Sequence, residues 1–496
     1  MTQSPSPSLL NQRRAGVLLH ISSLPSAYYV GDLGDEARRV VDMFHRLGVS
    51  IWQTLPINMP HADNSPYQCL SAHAGNPDFI SLEALVAQDL LSKDDLNGLI
   101  ISKLPLMDKA YQAFRQQTKN QLHQDFSDFC TEHAYWLKEF ALFLALRTNF
   151  DNTGWSYWPE AYKNRDKKTL KQASKELAHE IAVIQFTQFV FFTQWHKLKT
   201  YAASKKVHLF GDIPIFVSYD SAEVWAQPHL FKLDADKNMT VVAGVPPDYF
   251  CETGQRWGNP HYNWEAMAAD GFSWWVSRMA TQSELFDMVR IDHFRGLEAA
   301  WEIPATEETA INGQWVLAPG DALLAAIVTA LPNVTLVAED LGIITAEVDA
   351  LRHKYNLPGM KILQFAFSGQ DDNPYLPHHI EENSVVYTGT HDNDTTLGWY
   401  EALDEQQREP VHAYLRSSHS EEHQPEMPRD LIDMALESKA QLAIIPMQDL
   451  LALDTSHRMN IPGTSTGNWH WRFNWQQVCQ NQKTAFAEAI VRTGRK

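Results

Sequence analysis

Cysteine is scarce in this chain: there are four in 496 residues, at 69, 130, 251 and 479, and none forms a C-x-x-C pair. That scatter excludes a disulfide framework and a cysteine zinc cluster, and it predicts a reducing compartment, the cytoplasm. Positive charge is also short, with 41 Lys and Arg against 60 Asp and Glu. A formal charge of −19 leaves no basic surface for nucleic acid or an anionic membrane, and it suits a neutral substrate. No apolar run reaches the roughly 18 residues of a membrane span. The opening MTQSPSPSLLNQRR lacks a basic start followed by an apolar stretch, so it does not read as a secretory signal. Residues 1–13 are expected to form a disordered tail. Proline- or glycine-rich hinges and internal repeats are missing too.

What the chain does contain is a series of short β-branched or apolar runs that stop abruptly at polar, glycine or proline positions. They cover residues 17–21, 51–55, 208–213, 288–292, 335–339, 361–365, 385–388 and 442–446. Material with helical periodicity separates most of them, for example 36–47, 320–331 and 346–355, which is the βα repeat of a parallel sheet. Eight such runs predict an α/β fold, a closed (β/α)₈ barrel over residues 14–496, with an open doubly wound sheet as the alternative. The spacing is uneven. Between the second and third runs, residues 84–203 carry Lys, Asp, Glu, Gln and Leu at helical spacing, which predicts a mostly helical subdomain inserted in the barrel. The polar segment 412–427, bounded by Pro410 and Pro428, reads as an exposed helix–loop without a catalytic role.

Active sites of such barrels lie at the C-terminal ends of the strands. Four of the runs end in acids: Asp212; Arg290-Ile291-Asp292-His293; Glu339-Asp340; and His391-Asp392-Asn393-Asp394. Arg290 and Asp292 are two residues apart, so their side chains leave the same face of a strand, as do those of Val337 and Glu339. If those faces point into the barrel mouth, an arginine, an aspartate and a glutamate converge there. A structural ion-pair network at the barrel top is the plainer alternative. Paired carboxylates without a metal-ligand pattern suit glycoside chemistry, in which one attacks the anomeric carbon and a protonated partner serves the leaving oxygen. The cation of Arg290 would favour a charged Asp292, the nucleophile, leaving Glu339 as acid/base. Sixteen tryptophans offer flat apolar faces suited to sugar rings, although most such rings fill cores.

The segments GDIPIFVSYDSAEVW, VRIDHFRG, AEDLG and YTGTHDNDT resemble the conserved regions of glycoside hydrolase family 77, the amylomaltases or 4-α-glucanotransferases of the wider α-amylase superfamily. SPYQ, GVPPDYF, ETGQRWGNP and RMNIPGT are similar to that family as well, and the motifs keep its order from about residue 13 to the C-terminus. The resemblance implies Asp292 as nucleophile, Glu339 as acid/base and Asp392 as the third acid, which binds sugar hydroxyls and steadies the transition state. Asp392 is preferred to Asp394 because the superfamily pattern is a His-Asp pair. The resemblance further implies that His391, Arg290, Asp212 and Tyr67 line the subsite of the sugar under attack. His293 and Asn460 would hydrogen-bond the glucan nearby. Tyr249 and Phe250 would belong to a loop covering the site, with Trp257 just beyond it. No cofactor and no metal are implied.

The same resemblance implies transfer, with malto-oligosaccharides, maltodextrin or glycogen-derived α-1,4-glucans as donors and glucose or a malto-oligosaccharide as acceptor. Transfer must beat water at roughly 55 M with acceptor at about 1 mM, a handicap of about 6 kcal/mol to be met by acceptor binding and water exclusion. A closing loop such as 245–255 could supply it. The alternatives are an α-amylase-like retaining hydrolase, a metal-dependent barrel hydrolase using His20, His293, His391 and Asp392, and a non-catalytic glucan-binding protein. The histidines lack ligand spacing, which counts against the metal enzyme.

Overall fold

The computed structural model describes residues 9–98, 100, 102–247, 251–418, 420 and 422–495. Twelve strands follow one another along them: β1 Arg14–Leu18, β2 Ile51–Gln53, β3 His208–Ile213, β4 Val241–Val245, β5 Gln255–Pro260, β6 Met288–Ile291, β7 Ala299–Pro304, β8 Gln314–Leu317, β9 Thr335–Ala338, β10 Gly359–Ile362, β11 Ser384–Tyr387 and β12 Leu442–Pro446. Eight of them pair in parallel in the order β10-β11-β12-β1-β2-β3-β6-β9. The seam between the two end strands is spanned by the Ala338 N–H, which donates to the Pro358 carbonyl at 2.9 Å. Each overlaps one of the eight runs expected, although β1 starts three residues before 17–21 and β10 two before 361–365, and the fold is the (β/α)₈ barrel.

Alternation along each strand sorts its side chains. Leu18, Ile51, Phe210, Met288, Val337, Met360, Ile362, Val385, Tyr387, Leu442 and Ile444 pack together inside the barrel. Their strand neighbours Val17, Trp52, Leu209, Val289, Leu336, Val386 and Ile445 face the surrounding helices. Gly16 marks how full the interior is, since a Cβ there would stand 2.3 Å from Ile444 Cδ1. Two strands continue this inward row one step further with charge, Asp212 above Phe210 and Arg290 above Met288. The β3–β6 register sets Asp212 directly opposite Arg290.

Between β2 and β3 the chain makes a helical excursion whose longer members are Leu104–Gln116, Gln121–Glu132, Ala134–Asn149, Lys167–Glu176 and Ala178–Ser204. The last, 27 residues, spans about 40 Å at 1.5 Å per residue. Its apolar stretch around Phe186, Phe189, Phe191, Phe192 and Trp195 is buried and carries the chain back to the barrel wall. No helix among the described residues is long and apolar enough to cross a membrane.

Three features depart from expectation. β4, β5, β7 and β8 form a four-stranded antiparallel sheet, in the order β5-β4-β7-β8, that was not foreseen. Its strands lie in the connections before and after β6, so it stands on the rim beside Asp292. The inner end of the expected tail is held: Leu10 is buried among the barrel-interior residues. Arg13 donates to the carbonyls of Thr493, Leu436 and Ser438 at 2.7, 2.9 and 2.7 Å. Residues 1–8 lie outside the described part. Finally, Pro410 does not bound the polar segment but sits inside the helix Glu405–Ser418, which buries Val411 and Leu415.

Candidate active site

At the top of the barrel interior the inward row changes from apolar to ionic. Arg290 Nη1 donates to both oxygens of Asp212, at 2.8 and 2.7 Å, and Nη2 donates to Asp292 Oδ1 at 2.8 Å. Burial pulls the Arg290 pKa down, but the two carboxylates outweigh it and hold the guanidinium charged. The Tyr67 hydroxyl donates to Asp212 Oδ2 at 2.8 Å. Its ring stacks on His391, 5.2 Å between centroids and 15° from parallel. One arginine therefore orients two aspartates, one wholly buried and one opening to the cleft. Asp292 Oδ1 is held by Arg290, and the Asp292 side chain is 30% exposed.

Glu339 follows β9 and is 9% exposed. Oε2 accepts the His293 N–H at 2.6 Å and Oε1 accepts the Leu341 N–H at 3.0 Å. Burial pushes its carboxyl up to about 8, and the charge of Asp292 adds to that; Arg290 and the two N–H groups pull the other way and lose. A carboxyl in this state carries its proton at neutral pH. His293 adopts a left-handed backbone, φ 52°, which turns its N–H toward Glu339. Burial lowers the imidazole to about 4, so the ring is neutral. It meets Trp257 edge-on at 4.9 Å, and Trp257 reaches it from β5 of the rim sheet.

Asp392 lies across the mouth with a half-exposed side chain. Asn460 Nδ2 donates to its Oδ1 at 2.6 Å, and His391 Nε2 is 3.3 Å from its Oδ2. Asp394 is used differently. Its Oδ1 accepts the Thr395 N–H and its Oδ2 the Thr455 hydroxyl, both at 2.7 Å, so it secures the start of the helix Thr396–Ala402. Asp340 is a seam residue, accepting the Met360 N–H at 2.6 Å and pairing with Arg352 at 3.2 Å. Asp212, Arg290, Asp292, Tyr67 and His391 are thus linked by direct contacts, and Glu339 joins them through the His293 N–H, which follows Asp292 in the chain. Asp392 and Asn460 join through His391, and Trp257 through His293. Tyr249 and Phe250 lie outside the described residues. His20 turns to Thr54, Nδ1 to Oγ1 2.9 Å, and among the described residues no group of three or more His, Cys, Asp or Glu is placed to hold a metal ion.

Residues 19–478 match the family model described as 4-alpha-glucanotransferase. The chain belongs to that family. It is 45% identical to a 4-alpha-glucanotransferase of Thermus thermophilus over 93% of this chain and 94% of that one. With the enzyme of the same description from Aquifex aeolicus it shares 44% identity over 97% and 98%. Among solved structures, the amylomaltase of Streptococcus agalactiae in complex with acarbose superposes with a TM-score of 0.93 at 36% identity, covering 98% of this chain and all of that one.

Sequence reasoning missed the residues that hold Asp392 in place. Arg458 Nη2 donates to the Asp392 carbonyl at 3.0 Å, and its Nε donates to the Asn460 carbonyl at 3.3 Å. The buried Asp449 accepts the hydroxyls of Thr388 and Thr396, at 2.5 and 2.6 Å, and the Thr396 N–H at 2.7 Å. It locks the two ends of the His391–Asp394 loop from below. The signal for Arg458 was present in RMNIPGT. Asp449 has none, because it follows an apolar strand as any helix-start acid does.

Proposed function

We propose that the chain transfers α-1,4-glucan segments to the 4-hydroxyl of glucose or a malto-oligosaccharide by double displacement, with Asp292, Glu339 and Asp392 as its acids. Asp292 Oδ2 attacks the anomeric carbon as the glycosidic C–O bond breaks, and the Glu339 proton passes to the departing oxygen. The covalent glucosyl–Asp292 ester is then opened by the acceptor hydroxyl, whose proton returns to Glu339. The stereochemistry is retained. As the ester forms Asp292 gives up its negative charge while Arg290 stays paired with Asp212, and Asp392 and His391 bind the hydroxyls of the sugar under attack. The observation that carries this reading is Glu339, a buried carboxyl held by the His293 and Leu341 N–H groups one peptide unit from the partly exposed Asp292, with burial pushing it up to about 8.

Tyr67, Asp212 and Arg290 form the floor of that subsite, and His293, Asn460 and Trp257 touch sugars on either side. The donors are malto-oligosaccharides, maltodextrin or glycogen-derived glucans, in the cytoplasm. The acarbose complex of the Streptococcus agalactiae relative supports an oligosaccharide as occupant. Residues 14–496 act as one catalytic unit, and 84–203 are its helical insertion. Incubation with maltotriose alone tests the reaction. Glucose plus a ladder of longer oligosaccharides, with little gain in reducing ends, is expected. Reducing ends rising in step with glucose and maltose would make water the acceptor and refute transfer.

A further inference from the structure

β8 is the outer edge of the rim sheet, and Trp315 and Leu317 share one of its faces. Trp315 is 37% exposed, Leu317 75%, and Ile343, in the loop after Glu339, 58%. Arg295 joins Trp315 to the loop of Ile343. Its guanidinium lies 3.9 Å from the Trp315 ring centroid, and Nη1 donates to the Ile343 carbonyl at 2.8 Å. Arg295 is itself buried, and its Nε has no hydrogen-bond partner among the described residues. A cation withdrawn from water in this way is an expensive device. What it achieves is to brace one face of an exposed indole and pin the loop that leaves the acid. The loops carrying Arg295 and Ile343 leave β6 and β9 at their C-terminal ends, so this apolar patch stands on the same end of the barrel as Asp292 and Glu339.

We propose that Trp315, flanked by Leu317 and Ile343, is a remote platform for the α-1,4-glucan chain, beyond the sugars held at the carboxylates. The proposal rests on the transferase reading above. Continuity selects the occupant: a polymer bound across Asp292 and Glu339 must leave over the rim, and the loop after Glu339 is one wall of that rim. The chemistry agrees, because an indole face and two aliphatic side chains match the C–H faces of glucose units. A braced ring loses little freedom on binding. A second copy of the chain is a poorer fit, since stable interfaces bury about 800 Å² per partner and three exposed side chains offer far less.

The test compares kcat and KM of the full chain on maltotriose and on a long soluble amylose. Trp315→Ala should raise KM for amylose about tenfold, with kcat unchanged and the maltotriose constants within about twofold. Leu317→Ser, at a position too exposed to affect folding, should shift KM for amylose in the same direction by about threefold. An unchanged amylose KM in Trp315→Ala overturns the platform. So does an equal loss on both substrates with Leu317→Ser behaving as wild type, which would make Trp315 a mere prop for the Glu339 loop. A wild-type dimer that Trp315→Ala converts to monomer overturns it in favour of contact between copies. Failure of the wild type to lengthen maltotriose would instead remove the transferase reading on which the platform rests.

Discussion

The Glu339 carboxyl accepts the backbone N–H of His293 at 2.6 Å, and His293 is the residue after Asp292. One peptide unit therefore couples the two acids across neighbouring strands. The left-handed backbone at His293 makes that geometry possible, and a non-glycine residue adopts it only where the surroundings hold it. Arg290 grips Asp292 from the other side. The spacing of Glu339 and Asp292 is thus set by main chain and a buried cation, leaving little to side-chain freedom.

Because burial lifts Glu339 to about 8, turnover should fall as pH rises through that value, with the slope of one proton. Glu339→Gln should lose this limb and most activity, and recover in part with fluoride as leaving group, which needs no acid. Stability gives an independent check. The folded pKa lies above that of the unfolded chain, so the wild type loses stability as pH climbs from about 4.3 toward about 8. Glu339→Gln should not, and denaturant titrations of both proteins across that window measure the difference. Parallel curves would mean that Glu339 is ionised in the fold.

Asp292→Asn should keep the fold and glucan binding and lower turnover by at least about 10⁴-fold, since the covalent intermediate cannot form. Asparagine retains an oxygen for Arg290, so the floor of the site stays assembled. Maltotriose product ladders and equilibrium binding of the same oligosaccharide separate the two effects. Activity within about tenfold of wild type would remove Asp292 as nucleophile.

Much of this arrangement was legible because the barrel writes itself locally. Val289 and Ile291 alternate with Met288 and Arg290, and a charged residue at an inward strand position can only belong to the mouth. The rim sheet was not legible for the converse reason. Its strand Gln255–Pro260 contains Gly258, Asn259 and Pro260, residues that read as turn, and its register comes from contacts with β4. In HDND the family resemblance alone prefers Asp392 to Asp394; the residue types themselves do not separate them. Only the distant Thr455 and Asn460 show that one is structural and the other faces the cleft.

Asp212 has no route to solvent, and three of its hydrogen bonds come from Arg290 and Tyr67. Asp212→Ala leaves a buried guanidinium with Asp292 alone to balance it, and should lower stability by about 3–5 kcal/mol. Asp212→Asn keeps two of the polar contacts and should lower it less. Both should reduce turnover, because Arg290 would no longer be held against Asp292. Urea unfolding and maltotriose turnover on the two variants check this. An alanine variant as stable as wild type would show that the pair contributes nothing to the barrel.

Asn460 offers the sharpest separation of positioning from structure. Its amide donates to Asp392 Oδ1 at 2.6 Å in a part of the site open to solvent, so removing it leaves no buried group unpaired. Asn460→Ala should therefore leave the unfolding midpoint within about 0.5 kcal/mol of wild type. Turnover should still fall by about 10–10²-fold, because Asp392 would be free to swing out of register with the sugar under attack. Arg458, which donates to the carbonyls of both residues, predicts the companion result: Arg458→Lys can reach only one of them and should fall between Asn460→Ala and wild type. If Asn460→Ala raises KM without lowering kcat, the amide holds ground-state sugar and does not position the acid.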